Sequence, residues 1–295
     1  MTAPGGESAP PSGSSHRGRA DSRHYRYAFA IQSLSELPPD FTGFPDPGPL
    51  EAGVFLPQDD ASWLGRRAYP ARVLLVTSRE ILVAAHPAER EPLLRAPIRE
   101  IHSAQCGRIL LLGWFEFVWS GGRKRLPYNT RTRSPVERCI RVFKELWLPP
   151  QARRTQPCTV FGKPLTLKFE YAESAELLPG ETVLVRFFQP AVRRERGYAL
   201  FRREIWLPGD LVLATSRRLL WITDRYKGRQ EPYGSISYSA PWSSLTRVDA
   251  SAASPGAELT VHFGSAQAWR IPLRDMTEQE ANLIREAIEE ACRAS

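Results

Sequence analysis

Apolar and polar residues alternate through most of this chain, and the alternation gives way to a three-to-four spacing in two places. Leu74, Val76, Ile81 and Val83 fit one face of a half-buried sheet on either side of Thr77-Ser78-Arg79, so Val73 to Ala84 reads as a hairpin or two strands. A short strand is expected around Ile98 and Ile101. Ile109 to Trp119 reads as one long β-rich run in which Phe115, Phe117 and Trp119 share a face, and Gly121-Gly122 supplies a turn into Arg125 to Tyr128. Further on, Leu165, Leu167 and Phe169 alternate. Thr182 to Phe188, Leu211 to Ala214 and Leu219 to Thr223 follow, and Leu259, Val261 and Phe263 alternate again. The two helical stretches each come last in a run of strands. Val136, Ile140, Phe143 and Trp147 form one apolar stripe, with Ser134 as the expected N-cap, Pro135 at N1 and Pro149-Pro150 as the stop. Ala281, Ile284, Ile288 and Ala291 form the other, opened by the capping-box spacing of Thr277 and Glu280.

One short grammar occurs twice. Thr77-Ser78-Arg79 before Ile81-Leu82 recurs as Thr215-Ser216-Arg217 before Leu219-Leu220. Ala96-Pro97 is answered by Ala240-Pro241, and Arg125-Leu126-Pro127 by Arg270-Ile271-Pro272, at offsets of 138, 144 and 145 residues. A period this long exceeds any solenoid unit and suits two complete domains. Glu51 to Leu56 would then play the part of Glu181 to Arg186. The division expected is a basic tail over 1–27, a first domain over 28–148, a linker over 149–164 and a second domain over 165–295.

The Thr-Ser-Arg-x-[Ile/Leu]-Leu strand, the short strand introduced by Ala-Pro, the alternating hairpin and the closing amphipathic helix resemble the bacterial pleckstrin-homology-like domains and the related GRAM domains. The resemblance covers most of residues 45–148 and 165–292. It implies a mainly β, α+β fold: two tandem barrels, each an antiparallel bent sheet capped by one C-terminal helix. A half-apolar meander needs cover for its inner face, and one amphipathic helix can close one open end.

Composition and charge narrow the function. Of 295 residues, 42% are hydrophobic, enough to bury two cores. No window approaches the roughly 18 apolar residues of a membrane span, and the N-terminus lacks a secretory core, so a cytosolic location is expected. Cys106, Cys139, Cys158 and Cys292 are scattered, which suits reduced thiols rather than a metal site or a disulfide framework. No HExxH, CxxC, GxSxG or phosphate-loop pattern occurs, and His86, His102 and His262 stand apart. A non-enzyme without cofactor or metal is expected. His262 should face solvent.

The net charge is +8. Part of it sits in the tail, at Arg17, Arg19, Arg23 and Arg26, where Gly, Ser and Pro predict disorder. The rest concentrates in Arg186, Arg193, Arg194, Arg196, Arg202 and Arg203, with Glu195 the one acid among them. In pleckstrin-homology domains that bind phosphoinositides, a basic residue late in the first strand and a basic-x-Arg-x-apolar loop surround the phosphates. Arg186 and Arg194-Glu195-Arg196-Gly197-Tyr198 resemble that arrangement, although this loop is longer and the first copy has only Arg66-Arg67. Guanidinium groups bond phosphate bidentately, so these six arginines are the candidate phosphate or anionic-lipid site. Trp114, Trp206 and Trp242 are candidate interface anchors, with Trp114 the expected exposed ring. The function expected first is an adaptor or scaffold that binds a protein partner. The alternative is peripheral binding of anionic lipid or a phosphorylated ligand, and nucleic acid ranks below both because no RNP-like motif or recognition helix is present.

Overall fold

The structure is a computed structural model, described here for residues 26–41, 44, 46–58, 69–150, 157–196, 203–226, 229–230, 234–254, 256–264 and 267–294. The expected disordered tail lies outside the described residues except Arg26 and Tyr27, as do Arg66, Arg67 and Arg202. The first half supplies β1 (Phe29–Ala30), β2 (Leu50–Leu56), β3 (Arg72–Thr77), β4 (Glu80–Ala85), β5 (Leu94–Pro97), β6 (Ile101–Ile109), β7 (Leu112–Trp119), β8 (Gly122–Asn129) and helix α1 (Arg133–Trp147). The second supplies β9 (Thr159–Gly162), helix α2 (Leu167–Glu176), β10 (Val183–Gln189), β11 (Val192–Arg196), β12 (Arg203–Leu207), β13 (Asp210–Thr215) and β14 (Arg218–Thr223). It continues with β15 (Arg225–Tyr226), β16 (Arg229–Gln230), β17 (Gly234–Pro241), β18 (Leu245–Ala252), β19 (Ala257–Phe263), β20 (Gln267–Leu273) and helix α3 (Glu278–Arg293). No helix among the described residues is long and apolar enough to cross a membrane.

The repeated Thr-Ser-Arg motif is a turn clamp. Thr77 Oγ1 accepts from the amides of Arg79 (3.2 Å) and Glu80 (3.0 Å) and donates to the Glu80 carbonyl, which fixes the β3–β4 turn. Thr215 repeats all three bonds at the β13–β14 turn, with Arg217 and Arg218. Each Ala-Pro is followed by a single 3-10 turn, Ile98–Glu100 in one half and Trp242–Ser244 in the other. Bulges also recur in place. The β6–β7 ladder shifts register after Ile101 and the β18–β19 ladder after Leu245, while β2–β3 and β10–β13 both shift beside the clamp threonine.

Several local expectations change. Ile98 lies in a 3-10 turn, not a strand, because its amide bonds the Arg79 carbonyl across the preceding hairpin. The run from Ile109 to Trp119 is interrupted by Leu110 at φ 51, which turns β6 into β7. Leu165, Leu167 and Phe169 do not share a strand: α2 begins at Leu167, and the burial of Phe169, Ala172 and Glu173 follows helical spacing. Helix α1 begins at Arg133 without a side-chain cap from Thr132, because a 3-10 turn capped by Asn129 runs straight into it. The Thr277–Glu280 capping box is present.

Three larger sheets organise the chain, and among the described residues none closes into a barrel. A five-stranded sheet follows the order β1-β2-β3-β4-β5, and a three-stranded one β18-β19-β20. Between them runs an eight-stranded sheet, β8-β7-β6-β17-β14-β13-β10-β9, that crosses from one half to the other. Separate sheets for the two copies are thus replaced by a shared one. The joint is antiparallel β6–β17 pairing from Ile109↔Gly234 to Ala104↔Ser239. Both strands are long, and a long open edge exposes a row of unpaired backbone groups that pairing removes. Helices α1 and α2 cover one face of this sheet. Val136, Ile140, Phe143 and Trp147 pack against Phe115, Phe117 and Leu126, and Phe169 packs with Phe188, Leu211 and Leu220. The three-stranded sheet and α3 cover the opposite face of the second-half strands, around Val212, Trp221, Val261 and Ile284.

The shared sheet also buries Trp114, which is 3% exposed. Its indole lies over Gly107, where a Cβ would sit 2.0 Å from the ring, and beside Ile109 and Ile236 of the neighbouring strands. Arg125 stacks on its outer side at 5.2 Å. Trp242 is buried too, its indole N–H donating to the Thr215 carbonyl at 2.9 Å.

Candidate functional site: a cationic cleft between α1 and α2

Because α1 belongs to one half and α2 to the other, the joint between the halves leaves a cleft between two helices that stand on one sheet face. Its volume is about 620 Å3, and Cys106, Arg108 and Tyr128 form its floor. The wall from α1 carries Arg133, Glu137, Arg138, Arg141 and Lys144, and the wall from α2 carries Tyr171, Ser174, Ala175 and Glu176.

The inner end is closed by an ion pair. Lys144 Nζ lies 2.6 Å from Glu176 Oε2, and Ser237 Oγ donates to Glu176 Oε1 at 2.9 Å. Burial alone would raise the Glu176 carboxyl, but Lys144, Arg218 and the Ser237 hydroxyl outweigh it and hold it down to about 2. Behind this pair sits Arg218, fully buried, which donates to both Glu181 oxygens, to Ser239 Oγ and to the Glu176 carbonyl. Arg217 fixes the same corner by donating to the carbonyls of Leu148 and Pro179. The wall is therefore rigid and internally neutralised.

The outer end is different. Arg108 reaches Glu137 at 2.9 Å and Arg133 reaches it at 3.9 Å, so one carboxylate serves two guanidinium groups. Arg138 and Arg141 are exposed and have no ion pair with any described residue. Five cationic side chains line the cleft against two carboxylates. Burial pushes the Cys106 thiol and the Tyr128 phenol up, so both stay protonated and neutral at ordinary pH. What the cleft presents is a positive rim, the neutral Cys106 and Tyr128 beside Arg108 on the floor, and the exposed ring of Tyr171. Among the described residues no cluster of His, Cys, Asp or Glu is placed to hold a metal ion.

The six arginines singled out in the sequence are not gathered here. Arg186 lies on β10 and is committed to Glu173 of α2, with Nε 3.1 Å from Oε2. Arg193, Arg194, Arg196 and Arg203 lie on the separate β11–β12 ribbon, where Arg196 pairs in register with Arg203 and Arg193 with Trp206. His262 is half-buried and bonds Asp249 at 3.0 Å, while His86 Nδ1 accepts from the Ala88 amide as the cap of a 3-10 turn. The cleft arginines had one signal in the sequence. Arg133, Arg138, Arg141 and Lys144, with Glu137 the one acid among them, make the side of α1 flanking its apolar stripe predominantly basic.

No protein-family model matches the chain, and no curated protein matches it.

Proposed function

We propose that this protein is a non-enzymatic adaptor, built from two pleckstrin-homology-like halves fused through one sheet, whose α1–α2 cleft binds an acidic segment of a protein partner. The observation that carries this reading is the pair of exposed arginines, Arg138 and Arg141, without an ion pair among the described residues, on the rim of a recessed cleft. A volume of about 620 Å3 falls in the range of ligand sites, roughly 300–1,000 Å3. The neighbouring Tyr171 is 74% exposed, and a tyrosine beside arginines is the composition of a protein-binding hot spot. Charge excess at the rim raises the encounter rate with an acidic segment and makes binding salt-dependent. The β11–β12 ribbon, with Arg193, Arg194, Arg196 and Arg203 on its two strands, supports the second reading, contact with an anionic membrane surface.

The test uses the full chain and a fluorescein-labelled oligo-glutamate peptide in fluorescence anisotropy. Binding should weaken steeply with salt, and Arg138→Glu with Arg141→Glu should abolish it at unchanged melting temperature. Retained binding in that variant, or no binding by the natural chain at low salt, overturns the cleft reading. In parallel, pelleting with phosphatidylserine vesicles that Arg194→Glu with Arg196→Glu abolishes would favour the membrane.

A further inference from the structure

In the first half, β6 uses both of its edges. One pairs with β7, and the other takes β17 as an antiparallel neighbour. β18 holds the same place in the second half, with the same bulge after its first residue, and α3 packs against it far more extensively than α1 does against β6. Among the described residues β18 pairs with β19 alone. The edge that corresponds to the β17-bearing edge of β6 therefore carries no strand from the described residues. A groove of about 350 Å3 lies beside it, lined by Leu245, Thr246, Arg247 and Val248 of β18 and by Glu289, Cys292 and Arg293 of α3, and by nothing from β19 or β20.

We propose that this edge is a second docking site, at which an extended segment of a partner protein adds to β18 as an antiparallel strand and lays alternate side chains into the groove beside α3. The inference goes beyond the cleft reading and does not depend on it. The chain itself supplies the precedent, since β6 holds β17 over a six-residue register in this way. Main-chain hydrogen bonds give such a contact its affinity, and pockets for alternate side chains give it selectivity. Leu245, Val248 and Cys292 offer apolar floor, while Arg247, Arg293 and Glu289 present both signs of charge. A β-prone segment with apolar residues at every second position and little net charge fits this lining, in contrast with the acidic segment suited to the cleft.

A second copy of the chain is a poor occupant by the same logic. The strand that corresponds to β17 in the first half is β5, which has only four residues, and Pro92 removes an amide donor just before it. Copies cannot extend head to tail through that edge, and pairing of two β18 strands is the outcome that the concentration dependence below detects.

The outward donors on β18 can be named. The Ala253 amide donates to the Gly256 carbonyl at 2.8 Å and closes the β18–β19 hairpin. Antiparallel bonding alternates from there, which leaves the amides of Val248, Ala250 and Ala252 pointing away from β19. The experiment uses the full chain and a labelled peptide with the sequence of β17, Gly234 to Pro241, followed by anisotropy and amide hydrogen exchange. Bound peptide should slow exchange at Val248, Ala250 and Ala252 by about tenfold or more and leave the amides facing β19 unchanged. Ala252→Pro should weaken binding by about tenfold, and Arg138→Glu with Arg141→Glu should leave it intact, so failure here and failure of the cleft reading are distinguishable. Unslowed exchange at saturating peptide overturns the proposal. So does protection that rises with chain concentration without peptide, which would make a second copy the occupant.

Discussion

Arg218 and Glu181 form a bidentate ion pair, with Nε and Nη2 each 2.9 Å from a carboxylate oxygen, and both side chains are shut off from solvent. The pair sits where the second half's clamp turn meets the joint. Arg218 also bonds Ser239 of β17 and the Glu176 carbonyl of α2, while Glu181 accepts from Thr215 and the Leu178 amide. Removing one partner of such a pair leaves a buried charge without compensation, whereas replacing both with apolar residues of similar volume can be nearly neutral. Arg218→Met should therefore destabilise by about 3–5 kcal/mol, and adding Glu181→Leu should restore most of that. Urea unfolding of the single and double variants checks it. Equal losses in both would show that the hydrogen-bond network, not the charge, dominates.

The clamp threonines carry unequal loads. Among the described residues Thr77 makes only its turn bonds, whereas Thr215 accepts the same two amides and shares its one proton between the Arg218 carbonyl at 3.0 Å and a Glu181 oxygen at 2.6 Å. Thr77→Val should lose on the order of 1 kcal/mol and Thr215→Val about 2–3 kcal/mol, because the latter also leaves a buried carboxylate short of a donor. Denaturant midpoints for the two variants decide it, and equal values would place the clamp's role in the turn alone.

Much of the fold was legible because the repeat is written in residues with local jobs. Thr77 and Thr215 sit where the hairpins break and Thr277 caps α3, so each could be read without knowing its neighbours, whereas the 3-10 turns after Pro97 and Pro241 read as strand in the sequence. What could not be read is pairing between distant segments. Most of β6 and all of β17 are not expected as strands, and nothing in the alternation around Ala104 and Ser239 states that they face each other. Trp114 was misplaced for that reason: its face of β7 is solvent in an isolated domain and interior once β17 is added. The cleft was hidden likewise, since it exists only where α1 of one half stands beside α2 of the other. Arg186 had the right chemistry for phosphate, but Glu173, 13 residues upstream on a helix misread as a strand, already occupies it.

Acid should loosen the joint before the cores. The Glu176 carboxyl is held at about 2, against 4.5 for the free side chain. A depressed folded-state value means that the unfolded chain binds the proton first, so this contribution is full above about pH 5 and is lost as pH falls toward 2. The linkage is on the order of 3 kcal/mol. Glu181 is depressed as well, its burial outweighed by Arg218, and adds in the same direction. Stability measured by urea unfolding should fall between about pH 5 and pH 3, and Glu176→Gln should flatten the profile while lowering stability at neutral pH. An unchanged profile in the variant would assign the acid sensitivity elsewhere.

The seal made by α1 can be probed at Phe143. Its ring is fully buried, 5.4 Å from Phe115 and 5.2 Å from Trp147, and Trp147 donates to the Ile101 carbonyl at 3.0 Å. Phe143→Ala should lose about 3–5 kcal/mol, the range for deleting a core aromatic. A loss under about 1 kcal/mol would mean that the stripe can repack around the cavity.

The shared sheet makes its own prediction about cooperativity. If the halves were independent beads, heating would melt them in separate steps. Here β6 and β17 form one ladder, Ser103 Oγ donates to Gln267 at 2.7 Å, Ser244 Oγ donates to the His102 carbonyl at 2.8 Å, and Arg217 holds the Leu148 carbonyl. Unfolding either half strips β6 or β17 of a partner and exposes a long edge. Calorimetry of the full chain should thus show a single transition whose van't Hoff and calorimetric enthalpies agree. Amides along Ala104 to Ile109 should exchange as slowly as those of the inner strands, because releasing them requires the whole sheet to open. Two resolved transitions, with β6 exchanging early, would show that the ladder between the halves is weaker than either core and that each half folds on its own.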